Sequence, residues 1–182
     1  MPHSYVIDTF AWVEYFIGSQ HGKIASQYIE GGKASTPTIV LTELSKWFLK
    51  EIESRRRKLA DMKQAFDFIN SRTLIVDLDE SIARKAGETD FLMKKKIHDW
   101  PIADSIVQAT ALTQGARVVS GDPHFKAVDN SIIIESMTSR KEKPFRDRER
   151  SQLHMGRFMF LSLGEGCRFF FVTMTSAHSN SQ

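Results

Sequence analysis

Five short strand-like segments, four of them apolar, alternate with longer segments of helical period from the start of this chain to about residue 138. They fall at residues 4–8, 34–36, 73–76, 117–120 and 131–134. Short strands joined through helices predict a parallel, doubly wound sheet, because parallel neighbours need long crossover connections. The expected fold is therefore a three-layer α/β/α domain with a five-stranded parallel sheet in the order 3-2-1-4-5.

The punctuation between the runs supports this reading. Phe10 to Ile17 reads as a helix broken at Gly18, and residues 22–30 as a short helix ended by Gly31-Gly32. Pro37 leads into a helix running to about residue 56. Lys58 to Asn70 forms another, with Leu59, Met62, Ala65, Phe66 and Ile69 at three- and four-residue spacing. Asp79 can cap a helix running to about residue 97. Pro101 and Gly115 fit the start and end of the next.

The domain expected from this pattern spans residues 1–138. Residues 139–156 read as a charged linker, and 157–182 as a Phe-rich tail of unknown role. The tail resembles two strands about Gly164-Glu165-Gly166, a β-hairpin-like segment that either packs on the domain, mediates association or is disordered. Charge divides the same way. Residues 1–139 carry 17 Lys and Arg against 18 Asp and Glu, whereas residues 140–182 carry 8 against 4. The basic excess belongs to the tail, so the high pI says little about nucleic-acid binding by the domain.

Cys167 is the one cysteine, which excludes an intramolecular disulfide and a Cys-rich zinc site. No apolar run approaches the roughly 20 residues that span a bilayer. Met1-Pro2-His3-Ser4 leads straight into the first strand, so no signal peptide is expected and a cytoplasmic setting fits best.

Four acids carry the functional argument. Asp8 and Asp122 follow the first and fourth strands, which adjoin at the point where the expected strand order reverses. Glu43 and Asp104 lie early in helices flanking the same crevice. A single Asp after a strand is usually a turn former or helix cap. Four carboxylates at one sheet edge repel one another unless a cation neutralises them, and hard ions such as Mg2+ or Mn2+ take oxygen ligands. Such a site suits metal-assisted attack of water on a phosphodiester. Asp8 and Asp104 are expected to hold the ion most directly. Asp99 reads as a helix cap or as a fifth pocket carboxylate, the cap being preferred. His124 either approaches a substrate phosphate or is a structural or solvated loop residue.

Rival chemistries find little support. The chain has no phosphate-binding Gly-x-x-x-x-Gly-Lys loop, no Gly-x-Gly-x-x-Gly and no Gly-x-Ser-x-Gly elbow. Its six histidines form no His-x-x-x-His pair, which argues against a zinc hydrolase. An aspartyl-nucleophile phosphatase wants a second Asp two residues after the first, where Phe10 stands. A phospho-acceptor signalling domain does not account for the acids on two helices.

Val6-Ile7-Asp8-Thr9, Thr42-Glu43-Leu44, the segment Ile102 to Ala111 around Asp104, and Val119-Ser120-Gly121-Asp122-Pro123-His124-Phe125 together resemble the PIN-domain ribonucleases, especially VapC-type toxins of toxin–antitoxin pairs. The resemblance covers about residues 4–136. It implies a Mg2+- or Mn2+-dependent endoribonuclease acting on RNA, with Asp8, Glu43, Asp104 and Asp122 as the catalytic, metal-holding quartet. Thr9 and Ser120 fall at supporting hydroxyl positions, with serine where threonine is more usual. The resemblance also implies a homodimer and a small antitoxin partner. The tail has no counterpart in it. A catalytically silent RNA- or protein-binding module of the same fold is the alternative, which loss of one acid would favour; none is missing.

Arg55-Arg56-Arg57-Lys58 and Lys94-Lys95-Lys96 read either as phosphate contacts or, preferably, as solvated helix ends, where cations complement the dipole. Trp12, Phe16, Trp47 and Trp100 could stack on bases, but each lies in an apolar segment and is expected in the core.

Overall fold

The computed structural model describes residues 3–135. Within them, β1 (Tyr5–Ile7), β2 (Ala34–Pro37), β3 (Leu74–Val76), β4 (Arg117–Ser120) and β5 (Ser131–Ile133) form one parallel sheet in the order β3-β2-β1-β4-β5. The helices are α1 (Thr9–Ile17), α2 (Gln20–Ile29), α3 (Thr38–Glu53), α4 (Leu59–Arg72), α5 (Glu80–Lys94) and α6 (Ile102–Gln114), with a 3-10 turn at Pro123–Ala127. The expected fold class and strand order are both observed. The linker and hairpin-like tail expected at 139–156 and 157–182 lie outside the described residues.

Adjacent residues in the central strands are fully buried: Val6 with Ile7 in β1, and Val118 with Val119 in β4. Neighbours in a strand point to opposite faces, so both faces of the sheet are covered. The main core joins these residues to Trp12, Leu44, Phe48, Ile69, Trp100 and Phe125, and a smaller cluster gathers Ile82, Ala86, Ile106 and Ala109. Trp12, Phe16 and Trp100 are core residues as expected, and Trp47 packs partly buried against that core. Among the described residues no helix is long and apolar enough to cross a membrane.

β2 is polar in sequence yet wholly buried, and hydrogen bonds explain how. The Trp12 indole donates to Thr36 Oγ1 at 3.2 Å. Thr36 Oγ1 lies 2.9 Å from Thr73 Oγ1, which donates to the carbonyl of Ile69. Ser35 Oγ donates to Gln114 Oε1 at 2.7 Å. These bonds remove the penalty of burying unpaired hydroxyls. Pro37 ends β2, where its missing N–H costs the sheet little.

Helix ends follow from capping. Asp8, Ser19 and Asp79 cap α1, α2 and α5 with their side chains. The Ser19 cap starts α2 two residues earlier than periodicity alone places it. α1 ends at Gly18 in the left-handed region, and α2 then folds back closely. A Cβ on Gly22 would lie 2.1 Å from the carbonyl oxygen of Glu14, so only glycine permits this approach.

Asp99 is not a helix cap. The N-cap of α6 is Pro101, which has no side-chain cap bond. Pro101 occupies the place that Asp99 would need two residues later, and the Asp99 carboxylate instead faces His124 at 3.7 Å. The basic run after α3 is also more than a solvated end. Arg57 reaches back to donate to the carbonyl of Phe16 at 2.9 Å and lies over the rings of Trp47 and Phe48. In the second run, Lys94 pairs with Asp90 and Lys95 lies over Phe91.

Candidate metal centre

β1 and β4 are parallel neighbours, with Ile7 level with Val119. The strand order reverses between them, because β2 and β3 extend one way and β5 the other. Chain leaving both strands opens a crevice at their carboxyl ends, and Asp8 and Asp122 line it from the two sides. The Asp8 N–H still donates to the carbonyl of Val119 at 3.1 Å, so Asp8 is fixed by the sheet before its side chain makes any contact.

Asp8 is 5% exposed. Its Oδ2 accepts from Ser120 Oγ at 2.6 Å and, more weakly, from the Phe10 N–H at 3.4 Å. Burial pushes its carboxyl up, to about 6, and the neighbouring Glu43 and Asp122 charges push the same way. The Ser120 hydroxyl and the Thr9 amide pull it partly back. A carboxylate in that balance is one whose charge a nearby cation stabilises.

Ser120 joins the two sides: its buried hydroxyl donates to Asp8 and accepts from the Asp122 N–H at 3.0 Å. Thr9, next to Asp8, donates from Oγ1 to Glu43 Oε2 at 2.5 Å, tying the second turn of α3 to the start of α1. Both residues expected to support the acids therefore hold one of them. Gly121 keeps the link short, since a Cβ there would lie 2.3 Å from Cε1 of Phe10.

Asp122 caps the 3-10 turn, accepting from the His124 N–H at 2.9 Å. This directs the His124 ring into the crevice while Phe125 enters the core. His124 Nδ1 lies 3.0 Å from Asp104 Oδ2 and 3.3 Å from Asp122 Oδ1. Asp104, in the first turn of α6, Asp122 and His124 each present a ligand atom within 4.8 Å of the other two. The structure thus gathers Asp104, Asp122 and His124 into one cluster, and couples Asp8 electrostatically to both Glu43 and Asp122. Oxygen donors with one imidazole nitrogen can hold a divalent cation.

In sequence His124 reads as a phosphate contact or a structural loop residue, and the structure instead places it within this cluster. The available signal was the Asp-Pro-His order, since an Asp that caps its own turn sets the direction of the residue two positions on. Glu14 stands in an apolar helix with no local sequence signal of its role. It is a buried acid, accepting from Ser19 Oγ and lying 3.3 Å from His21 Nδ1, and it locks α1 to α2 rather than facing the crevice.

The PIN domain family model matches residues 5–131. Among solved structures, VapBC2 from Rickettsia felis, bound to a DNA fragment from its promoter, is similar at 20% identity and TM-score 0.56, covering 71% of this chain and 96% of that one. A toxin–antitoxin complex from Klebsiella pneumoniae matches at 14% identity and TM-score 0.53, covering 74% and 100%. VapBC-5 from Mycobacterium tuberculosis, a member of the VapBC family of toxin–antitoxin systems, matches at 18% and 0.51, also covering 74% and 100%. At such identities the likeness is one of fold. A search of curated proteins finds no match.

Proposed function

Because this chain belongs to the PIN domain family, we propose that it is a Mg2+- or Mn2+-dependent endoribonuclease, the toxin of a toxin–antitoxin pair acting in the cytoplasm. The observation that carries the reading is the gathering of carboxylates at the β1/β4 switch point, with the most buried of them, Asp8, held up near 6. Asp8, Glu43, Asp104 and Asp122 would hold the ion. When bound, it supplies a more acidic water and neutralises charge on the phosphodiester.

The chain's own residues do the positioning. Ser120 holds Asp8 and the Asp122 backbone in one hydrogen-bonded unit, and Thr9 aims Glu43. The VapBC-5 and Klebsiella pneumoniae neighbours are named as toxin–antitoxin proteins, which supports a small antitoxin as partner. A homodimer is part of the same proposal.

The test is cleavage of a mixed RNA pool by contaminant-free protein with Mg2+ or Mn2+, with and without chelator. Cleavage that needs the ion is expected. RNA binding without cleavage in either ion would mark a silent binding module instead. Equal cleavage in excess chelator would remove the metal from the mechanism.

A further inference from the structure

We propose that His124 supplies a nitrogen ligand to the bound ion and biases this site toward Mn2+ over Mg2+. The proposal rests on the reading of the carboxylates as a metal site and adds a ligand outside the four acids.

The first argument is spacing. Ligands on neighbouring vertices of an octahedron, each about 2.1 Å from the ion, stand about 3.0 Å apart. His124 Nδ1 lies 3.0 Å from Asp104 Oδ2 and 3.3 Å from Asp122 Oδ1. The imidazole nitrogen stands from each carboxylate oxygen as one ligand stands from its neighbour, and one ligand atom of each of the three residues lies within 4.8 Å of the other two.

The second argument is orientation. A histidine on a metal usually turns its other ring nitrogen toward a carboxylate or carbonyl, which fixes tautomer and ring plane. Here Nδ1 faces the acids and Nε2 faces Asp99 Oδ1 at 3.7 Å. The ring packs against Trp100 at 5.9 Å between centroids, and Trp100 is itself fixed by donating to Ser105 Oγ at 2.7 Å. The His124 backbone is pinned by Asp122. Backbone and ring face are both restrained, and Asp99 stands within ion-pair reach of the outer nitrogen.

The third argument is chemical. Mg2+ prefers oxygen and keeps several waters, while imidazole suits transition metals. A nitrogen in the cluster therefore lowers the relative standing of Mg2+.

The experiment uses the full chain and Mn2+ itself. Pulsed electron paramagnetic resonance of bound Mn2+ should show 14N modulation, which changes to the 15N pattern when histidines are 15N-labelled. His124→Ala should abolish it, weaken Mn2+ binding about tenfold or more, and change Mg2+ binding less than about threefold. If H124A melts early, His124→Gln and the labelled parent carry the same reading. Mn2+ that is released by Asp122→Asn yet shows no nitrogen modulation overturns the role of His124 alone. So does modulation that persists in His124→Gln. Tighter binding of both ions by H124A also overturns it, by showing that the imidazole competes with the ion as a salt-bridge partner. Mn2+ binding indifferent to both Asp8→Asn and Asp122→Asn would sink the metal reading itself.

Discussion

Ser120 and Asp8 stand 112 residues apart in sequence and 2.6 Å apart in space, the hydroxyl of one donating to the buried carboxylate of the other. Both are nearly or fully buried, and the same hydroxyl accepts from the Asp122 backbone. Losing it leaves the acid with only weak backbone donors and takes from the Asp122 amide its hydroxyl acceptor. Ser120→Ala should therefore lower metal-free stability at pH 7 by about 1–3 kcal/mol, whereas Ser120→Thr should change it far less. Urea unfolding of the three proteins measures this. An alanine variant as stable as the parent would show that the bond contributes nothing.

The raised Asp8 carboxyl sets a pH dependence. Its folded value of about 6 exceeds the unfolded 3.8, so between these limits the folded chain binds a proton that the unfolded chain does not. Stability from this group is fully present below about pH 4 and is lost as pH rises through about 6. The loss is of order 3 kcal/mol. Asp8→Asn should flatten that fall and leave the metal-free protein more stable than its parent at pH 7. Unfolding in chelator at pH 4.5 and 7 decides it. Added Mg2+ or Mn2+ should raise the parent's melting temperature more than that of Asp8→Asn or Asp104→Asn.

Arg57 is expected to act on stability rather than on RNA. Its guanidinium donates to the Phe16 carbonyl and covers two aromatic rings, tying the segment after α3 to the end of α1. Arg57→Ala should cost about 1–3 kcal/mol. The salt dependence of RNA affinity should stay as in the parent. A salt slope reduced by about one, with stability unchanged, would assign Arg57 to phosphate contact.

Deleting residues 140–182 should leave cleavage largely intact. The family match ends at residue 131, and the similar structures are covered almost entirely by less than three-quarters of this chain. A truncated protein that folds normally but cannot cleave would make the tail part of the active unit.

The sheet order and the meeting of Asp8 with Asp122 were legible because they follow from strand count and connection type, which short apolar runs report directly. What the sequence hid depends on where side chains turn within loops. Asp99 looked like a cap because it precedes a helix with Pro101 near its start, and only the backbone shows that Pro101 takes the cap position itself. His124 depends on the tight turn that Asp122 closes. Arg57 looked like one cation in a run of four, and only its reach back to Phe16 separates it from its neighbours. Glu14 sat within an apolar helix with no local sign of the Ser19 and His21 that neutralise its burial.

The central position of β1 bears on how such a chain is made. Residues that emerge first supply Asp8 and Glu43, but the strand that closes the other side of β1 is 117–120. Until it arrives, one flank of β1 is an open edge, a hazard for mispairing. A fragment ending at Gln114 should accordingly form aggregates larger than the proposed dimer, which sedimentation would reveal. Three of the four acids are then present, without the hydroxyl of Ser120 or the carboxylate of Asp122. On the proposed reading an unfinished chain should be inert, its site complete only when the last parallel pairings close.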